Sequence, residues 1–341
     1  MNVTYILCSP GTGHSIEALF DGVADELRRN ELVNVQRLVL PRISRGLWSV
    51  VQNLWFLRKT RFAGVVHVTG DVHYAALATP AARTVLTIHD CVILHRNRHR
   101  PLRYALFRYL WFVWPMRRAA IITTISETIR LELRGHVGAL ADRVVVVPNG
   151  YDPAFTHQPR PFNAERPTVL HIGTAPHKNL HRLIEALAGL PCRLRIVGPL
   201  SDAHRSALAH HRIDYDAVAD VSQDAVINLY GQSDMIAFVS SYEGFGMPIV
   251  EAQAMGRPVV TSHRSPMVDV GGTGACYVDP TDVADIRRGI WRVWQDAAYR
   301  NELVRAGRDN AQRYTMKQAA DRYVRLYEQV MNPLTRKNGW C

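Results

Sequence analysis

Short apolar runs rich in β-branched residues alternate along the chain with segments whose apolar residues recur at helical spacing. The runs are typical of buried strands, and the spaced segments are typical of amphipathic helices. We expect Pro115 to kink or end one helix and Ser126 to cap another. In the first half the pattern predicts strands at Val3–Cys8, Asn34–Val39, Val65–Val68, Thr84–Ile88, Ala120–Thr124 and Arg143–Val147. It predicts helices at Ser15–Arg29, Trp48–Arg58, Leu102–Arg118 and Glu127–Arg134.

The segment Tyr151–Pro167 interrupts this alternation, because it holds four prolines and shows little periodicity. It predicts a linker between domains. After it the pattern predicts strands at Thr168–Ile172, Arg193–Val197, Asp234–Val239, Pro258–Thr261 and Ala275–Val278. It predicts helices at Asn179–Leu190, Ser201–His211, Ser222–Tyr230, Pro248–Met255, Asp282–Trp294 and Ala319–Met331.

Strands separated by helices predict parallel βαβ units. Two such series, one on each side of the proline-rich segment, predict an α/β protein of two doubly wound, Rossmann-like domains. We place these domains at residues 1–155 and 160–315. In such folds ligands bind at the carboxyl ends of the strands, so we expect the site in a cleft between the domains.

The composition is that of a folded protein. The chain has 341 residues, of which 47% are hydrophobic and 21% are charged, and this excludes disorder as its main state. No run of 18 apolar residues predicts a transmembrane helix, and the N-terminus lacks the basic start of a signal peptide. The five cysteines lie far apart, which favours a reducing compartment over a disulfide framework.

The excess of basic residues lies in the first half of the chain. Residues 1–160 hold 20 basic and 11 acidic side chains, whereas residues 161–341 hold 21 and 19. Two stretches without acids, 32–70 and 91–126, cause the difference, and three interpretations of them stay open. They are solvated helix faces, a surface that rests on anionic lipid, and nucleic-acid binding. The large aromatic side chains in these stretches are Trp48, Trp55, Phe56, Tyr104, Phe107, Trp111 and Trp114.

The most specific local pattern is the segment EGFGMPIVE at residues 243–251. Its two glycines would let backbone amides approach a ligand, and Pro248 is expected at the first position of a helix whose N-terminus favours an anion. The carboxylates of Glu243 and Glu251 would accept hydrogen bonds from hydroxyl groups. The pattern therefore indicates a ligand with a phosphate and vicinal hydroxyls, such as a nucleotide sugar. The alternative is a tight turn with a solvated glutamate.

These residues resemble the E-x7-E motif of retaining glycosyltransferase family 4, whose members have the two-domain GT-B fold. Further segments resemble motifs of the same family, and the resemblance spans about residues 11–280. These segments are TIHD at 87–90, VPNGYD at 147–152, IGTAPHKNL at 172–180 and EAQAMGRPVV at 251–260.

The resemblance implies roles at the donor site. Glu251 would accept hydrogen bonds from the ribose hydroxyls of the nucleotide. Glu243, with the amides of Phe245 and Gly246, would hold the donor sugar. Lys178, one of four lysines in the chain, would neutralise the diphosphate as it leaves, although it could also be a solvated charge at a helix start. The resemblance places these further residues around the donor: Gly11, Thr12, Gly13, Gly173, Thr174, His177, Gly244, Ile249 and Val250.

The resemblance also concerns residues outside the donor loops. His89 would hydrogen-bond the transferred sugar and stabilise positive charge at its anomeric carbon, unless it is a satisfied core histidine. Asp90 would either contact the acceptor hydroxyl or cap the next turn. The last predicted helix, with Tyr323 and Tyr327 on one apolar stripe, would cross back so that 316–341 packs on the N-terminal domain.

The chain departs from the family at two positions. Members usually have arginine where Thr174 and His177 stand, so a second cationic contact to the diphosphate would need a protonated His177 or another arginine. No histidine sits with carboxylates in a ligand pattern such as HExxH, and Asp214 and Asp216 fall in a polar run between predicted helices. We therefore expect no metal and no other cofactor, since lysine and helix dipoles would replace a cation.

The sequence thus predicts a retaining, metal-independent glycosyltransferase in envelope polysaccharide synthesis. It would move a hexose, with GDP-mannose as the favoured donor, to a carbohydrate or lipid-linked saccharide acceptor. We expect a cytoplasmic protein, peripheral on the anionic inner face of the cell membrane, that binds no nucleic acid. The alternatives are a nucleotide-sugar epimerase of the same fold and a non-enzymatic protein that binds membranes or nucleic acid.

Overall fold

The computed structural model describes residues 1–8, 14–29 and 33–332. These residues form two compact units. The first consists of the described residues up to Gly150 together with Met316–Asn332, and the second is Tyr151–Thr315; residues 333–341 of the segment 316–341, expected to pack on the first domain, lie outside the described residues. In the described part each unit contains one six-stranded parallel sheet with helices between its strands. The predicted class, two doubly wound α/β domains, is confirmed.

The first sheet has the strand order β2-β1-β3-β4-β5-β6, and the second has the order β12-β11-β10-β7-β8-β9. The strands are β1 (Asn2–Leu7), β2 (Asn34–Val39), β3 (Val65–Val68), β4 (Thr84–Ile88), β5 (Ile121–Thr124), β6 (Val144–Val146), β7 (Thr168–Ile172), β8 (Arg193–Val197), β9 (Asp214–Val218), β10 (Met235–Phe238), β11 (Val259–Ser262) and β12 (Cys276–Val278). Strands β3, β4 and β10 are wholly buried, as expected where helices cover both faces of a parallel sheet.

Helices fill the connections between the strands. They are α1 (His14–Arg29), α2 (Leu47–Lys59), α3 (Val92–Asn97), α4 (Pro101–Phe107), α5 (Trp114–Arg118), α6 (Glu127–Val137), α7 (Leu180–Leu187), α8 (Asp202–His210), α9 (Gln223–Gln232), α10 (Met247–Ala254), α11 (Met267–Gly271), α12 (Val283–Gln295), α13 (Ala297–Ala311) and α14 (Met316–Met331). The predicted cap of α6 is confirmed, because the hydroxyl of Ser126 accepts a hydrogen bond from the amide of Ile129. No helix among these is long and apolar enough to cross a membrane.

Helix α14 completes the core of the first unit. The hydroxyl of Tyr327 hydrogen-bonds Nδ1 of His67 at 2.7 Å, and Nε2 of His67 bonds the hydroxyl of Thr87 at 2.7 Å. The ring of Tyr323 packs against that of Phe20, with 5.6 Å between their centroids. All five side chains are buried. The tyrosines of the last described helix therefore satisfy polar groups inside the first unit, where unpaired groups would be costly.

The helix predicted at Leu102–Arg118 is confirmed in extent, but Pro115 does not end it. The chain continues from α4 through a π-helical turn, Arg108–Val113, into α5, where Pro115 occupies the first turn. Proline has no N–H to donate, and the wider turn before it accommodates the missing bond. Trp111 lies in this turn and is buried, with its ring centroid 4.9 Å from that of Tyr74. It is therefore core, not part of an exposed aromatic surface.

Three labelled elements of the second unit escaped prediction, namely β9, the short helix α11 and the helix α13. The run that holds Asp214 and Asp216 is the edge strand β9, not a loop between helices. Its acidic residues replace the apolar alternation of a strand because they pair with arginines of β8. Asp216 contacts both Arg193 and Arg195 at 2.8 Å. Helix α13 was also missed, since few of its residues are buried.

The proline-rich segment predicted to be a linker packs on the second unit. Phe155 is buried, and its ring lies 5.3 Å from that of Tyr230. The carboxylate of Asp234 accepts a hydrogen bond from the amide of Asn163 at 3.0 Å. The change in composition therefore marks irregular backbone that covers this unit.

Candidate functional site

The order of the second sheet locates a natural binding position. Strand β7 lies between β10 and β8. Strands β8 and β9 follow on one side of β7 and strands β10–β12 on the other, so the strand order reverses between β7 and β10. Ligands of open α/β sheets bind at such a switch point, outside the carboxyl ends of the strands. The loops that leave these two strands, residues 173–179 and 239–246, contain the most specific motifs of the sequence.

Two left-handed residues shape the loop after β7. Gly173 has a φ of +89°, and a Cβ added there would lie 3.0 Å from Cε of Lys178, so the lysine side chain packs directly over this glycine. Asn179 has a φ of +64°. Its side-chain amide donates to the carbonyls of Val239 (2.9 Å) and Pro280 (2.7 Å). These bonds fix the loop to the backbone that follows β10 and β12.

The loop after β10 is attached to the first loop. The amide of Ser241 donates to the carbonyl of His177 at 2.8 Å. Gly246 has a φ of +102° and directly precedes α10, in which Pro248 occupies the second position, one later than predicted. Phe245 is buried, and its ring packs 5.7 Å from that of Tyr314. The start of α10 is therefore held by the core.

Lys178 and Glu243 form an ion pair between the two loops. Nζ of Lys178 lies 2.8 Å from Oε1 of Glu243, and the side chains are only 19% and 12% exposed. The ammonium also lies 4.9 Å from the centroid of the Phe238 ring. A pair so far removed from solvent is costly to break unless another charged group replaces one partner. The arrangement suits a cation that passes from a carboxylate to an anionic ligand.

Glu251 lies beside this pair on α10. Its Oε2 accepts a hydrogen bond from the hydroxyl of Tyr230 at 2.7 Å. Burial raises the pKa of Glu251 to about 7, while the bond from Tyr230 and the charge of Lys178 act in the opposite direction. Tyr230 was not singled out from the sequence, since it lies 21 residues away on α9 and no spacing rule links the two.

The remaining donor-site residues predicted in this unit differ in how far their side chains are exposed to solvent. The hydroxyl of Thr174 donates to the carbonyl of Pro199 at 2.7 Å, and His177 is exposed. Ile249 and Val250 are wholly buried, so their side chains belong to the core. Residues 11–13, which contain the predicted Gly11, Thr12 and Gly13, lie outside the described part of the chain.

His89 follows β4 in the first unit and is nearly buried. Its Nε2 lies 2.9 Å from the carbonyl oxygen of Thr69, which can only accept, so Nε2 carries a proton and Nδ1 remains an acceptor. Burial lowers the pKa of His89, which keeps its ring neutral at physiological pH. Of the two roles considered for Asp90, the structure contains the cap, because Oδ1 accepts from the amide of Val92 at 2.9 Å.

Asp71 is a further acidic residue near His89 that the sequence analysis did not identify. The surrounding protein and the charge of Asp90 raise the pKa of Asp71 to about 7. Its side chain is nevertheless 59% exposed, so solvent weakens this effect. The sequence did offer one signal for Asp71, which is its position just after β3. Because β3 and β4 are neighbouring parallel strands, the residues that follow them lie at the same edge of the sheet.

Comparisons with known proteins agree with this geometry. Residues 4–155 match the family model described as Glycosyltransferase Family 4, and residues 154–310 match the model of Glycosyl transferases group 1. The chain is 26% identical over 273 residues to O-antigen chain mannosyltransferase B of Escherichia coli, covering 72% of this chain and 70% of that protein. It is also 26% identical to 2-deoxystreptamine glucosyltransferase of Streptomyces kanamyceticus, covering 89% of each.

A solved structure supports the fold. The Anabaena protein HepE, in complex with UDP and glucose, superposes with a TM-score of 0.76 over 96% of this chain and 100% of that one, at 17% identity. The two family models, which together span residues 4–310, identify a glycosyltransferase and therefore an enzyme.

The raised pKa of Glu251 makes a prediction about stability. A carboxyl whose pKa is higher in the folded than in the unfolded chain favours folding below pH 4.5 and loses that advantage as the pH rises towards 7. Glu251→Gln should therefore increase the free energy of unfolding at pH 8, by at most about 3 kcal/mol, with a smaller gain at pH 5. Urea unfolding at both pH values measures this.

The exposed Glu185 on α7 provides the matched control. Glu185→Gln should change the free energy of unfolding little at either pH. An equal effect of Glu251→Gln at pH 5 and pH 8 would contradict the assigned shift.

Proposed function

The chain belongs to the group 1 and family 4 glycosyltransferases of the GT-B fold, and from this premise we propose that it transfers mannose from GDP-mannose to a saccharide acceptor. We further propose that the reaction retains the anomeric configuration and needs no metal ion. One observation carries the assignment of the donor site. It is the Lys178–Glu243 ion pair, which lies beside Glu251 at the switch point of the second sheet.

The ion pair provides a way to receive a diphosphate. As the donor enters, its phosphate oxygens replace Glu243 as the partner of Lys178, so the buried ammonium stays paired throughout. Glu243 then accepts hydrogen bonds from hydroxyls of the donor sugar. Charge on the diphosphate grows as the sugar leaves, so the contact with Lys178 strengthens in the transition state. Lysine thus performs the neutralisation for which other transferases use a divalent cation.

Glu251 is proposed to hold the ribose. Two vicinal hydroxyls need an ionised carboxylate to accept both hydrogen bonds. The hydroxyl of Tyr230 occupies Oε2 at 2.7 Å and helps to keep the acid ionised, since it acts against the effect of burial. These contacts are the same in the ground and transition states, so they contribute to binding more than to turnover.

His89 is proposed to bond a hydroxyl of the transferred sugar through the acceptor Nδ1. Its neutral ring adds no positive charge near the anomeric carbon, where such charge would oppose departure of the diphosphate. Retention would follow from attack on the face that the diphosphate leaves, with a phosphate oxygen taking the acceptor proton. The one-bond C1–H1 coupling of the transferred sugar distinguishes the anomers, and an inverted product would contradict this mechanism.

The choice of mannose rests on the resemblance to mannosyltransferases, of which the E. coli O-antigen enzyme is one. The glucosyltransferase relative makes a glucosyl donor the competing candidate. Thermal unfolding of the purified chain with a panel of nucleotide sugars, all in the presence of a chelator, tests donor and metal independence together.

GDP-mannose should raise the Tm most, and added Mg²⁺ or Mn²⁺ should not increase the shift. A ligand at 100 times its Kd stabilises a protein by about 2.7 kcal/mol, which such a screen detects. A larger shift with UDP-glucose would replace the proposed donor. A shift that requires Mg²⁺ or Mn²⁺, the cations that bind diphosphates, would overturn metal independence.

The two donor-site residues should differ in their kinetic effects. Lys178→Ala should lower kcat by roughly 100-fold, because its contact strengthens in the transition state. Glu251→Ala should raise the donor KM by about 10-fold or more with a smaller effect on kcat, because hydrogen bonds to a charged group are worth about 1.5–3 kcal/mol.

Lys317→Ala is the matched control, since Lys317 forms an exposed ion pair with Asp321 on α14. Both kinetic constants of this variant should equal those of the wild type. An unaltered kcat for a folded Lys178→Ala variant would contradict the role of Lys178.

The surface of the first unit supports a second part of the proposal, docking on an anionic membrane. Helix α2 buries Val50, Asn53 and Leu57. Its opposite face is apolar but exposed. The residues of this α2 face are Leu47, Trp48, Val51 and Trp55, which are 61%, 71%, 51% and 61% exposed and lie within about 100° of the helix circumference.

Basic groups border the α2 face. Arg58 and Lys59 follow it on the same helix and are exposed, and Nζ of Lys59 lies 3.4 Å from the centroid of the Trp55 ring. An exposed apolar face flanked by cations is typical of helices that lie at a lipid interface. Solvated polar faces, the simpler interpretation, would not expose two tryptophans to water.

The second acid-free stretch presents a similar surface. Leu102 is 87% exposed and Trp114 is 50% exposed. Arg96, Arg98, Arg100 and Arg103 are all exposed nearby in the sequence. Each basic residue near an anionic surface contributes about 1 kcal/mol, within a Debye length of roughly 10 Å at 0.1 M salt. A lipid-linked acceptor, whose sugar lies at headgroup level, would make such docking productive on the cytoplasmic face.

Co-sedimentation with vesicles tests the membrane proposal. Binding should require anionic lipid, fall as salt rises, and weaken several-fold in Trp55→Ala and in the variant with Arg96, Arg98, Arg100 and Arg103 replaced. Trp291→Ala is the control, because Trp291 is 46% exposed in the second unit. Equal binding to neutral vesicles, or none to anionic vesicles at low salt, would reject docking.

A further inference from the structure

A cluster of metal-ligating side chains in the first unit lies outside the proposed donor site. Cys91 stands directly before α3, and Glu132 and His136 lie on α6. One ligand atom from each of the three lies within 4.8 Å of the other two. Cys91 is wholly buried and forms no disulfide with a described residue, while the other two are partly buried.

Helical spacing brings these groups together from distant parts of the chain. Glu132 and His136 are four residues apart, so they share one face of α6. Cys91 and His95 are also four apart, at the start of α3. Nε2 of His95 contacts the carboxylate of Glu132, which joins the two pairs. The ligands come from two distant segments of the chain, so no short sequence motif marks the site.

The outer contacts of His136 suit a metal ligand. Its Nδ1 lies 3.0 Å from the hydroxyl of Tyr104, and a hydrogen bond there leaves Nε2 as the nitrogen that can bind an ion. Metal-binding histidines almost always have such a partner on the other ring nitrogen. Nε of Arg108 also donates to the carbonyl of His136 at 2.6 Å, which holds this end of α6 in place.

We propose that Cys91, Glu132 and His136 form a site for a divalent transition metal of the zinc class, with His95 as the fourth ligand. Thiolate, imidazole and carboxylate are the zinc ligands of proteins, and thiolate disfavours hard cations such as Mg²⁺. Zinc bonds of about 2.0–2.3 Å place the ligands of a tetrahedral site about 3.5 Å apart. Binding would therefore draw the three side chains slightly closer.

The charges of the cluster balance such an ion. Thiols bind metal ions as thiolates, so binding of an ion displaces the proton of the Cys91 thiol. A bound divalent ion takes the thiolate as a ligand and releases that proton to solvent. The thiolate and the carboxylate then supply two negative charges against the two positive charges of the ion.

The position of the site gives it a structural role. Cys91 immediately follows His89 and Asp90, so an ion would fasten the backbone after these residues to α6. The site involves neither Lys178 nor Glu251, and its metal is distinct from the hard cation that the proposed transfer reaction does without. It can therefore exist whether or not the proposed donor chemistry is right.

Cobalt titration of the full chain, freed of metals by a chelator and without an affinity tag, tests the site. Co²⁺ bound by a thiolate in a tetrahedral site gives a charge-transfer absorption in the near ultraviolet and strong visible bands. We expect one equivalent of Co²⁺ to produce both features and Zn²⁺ to abolish them. Cys91→Ser should lose the charge-transfer band, and His136→Ala should weaken Co²⁺ binding by roughly 10-fold or more.

Cys192→Ser is the matched control, because Cys192 is also buried but lies in the second unit. It should keep the full spectrum. Circular dichroism checks that each variant is folded. If Cys91→Ser does not fold, the Co²⁺ affinity of His136→Ala tests the site instead. A wild-type chain without the charge-transfer band, or an unchanged Co²⁺ affinity in folded His136→Ala, would overturn the proposal. No donor is present, so the result is independent of the transferase assignment.

Discussion

An ammonium and a carboxylate in contact, both largely withdrawn from water, hold together the two loops at the switch point of the second sheet. Neither Lys178 nor Glu243 can be left alone there without a large cost of desolvation. The surrounding loop holds this pair in position. Gly173 makes room for the lysine side chain, and the side chain of Asn179 bonds the loop to the backbone that follows β10 and β12. Under the proposed function, phosphate oxygens of the donor would replace Glu243 beside Lys178, and the freed carboxylate would accept hydrogen bonds from the sugar.

The sequence indicated these two loops because the residues that meet there belong to two short motifs, 172–180 and 243–251. Buried parallel strands are apolar throughout, so their positions also followed from the pattern. What escaped were contacts between elements that no spacing rule connects. The bond from Tyr230 to Glu251 joins α9 to α10, and the strand β9 is stabilised by pairs of Asp216 with arginines of β8.

The first unit illustrates a different limit of sequence patterns. Helix α2 is apolar on two opposite faces, so periodicity alone could not tell which face is buried. Tertiary packing decides it: the side-chain amide of Asn53 donates to the hydroxyl of Tyr74 at 2.8 Å on the inner side, which leaves Trp48 and Trp55 outside. The same packing buries Trp111 against Tyr74. Tryptophans of the two acid-free stretches therefore differ in burial: Trp111 is in the core, whereas Trp48 and Trp55 are on the surface.

The two units use charge in different physical regimes. The charges of Lys178, Glu243 and Glu251 lie among protein atoms, where solvent and salt screen their interactions little. The arginines and lysines of the first unit are exposed around apolar side chains, where their attraction to an anionic surface is long-ranged and screened by salt. Under the proposed function the chain would use both regimes, because salt would weaken docking on an anionic membrane more than it would weaken the contacts to the donor.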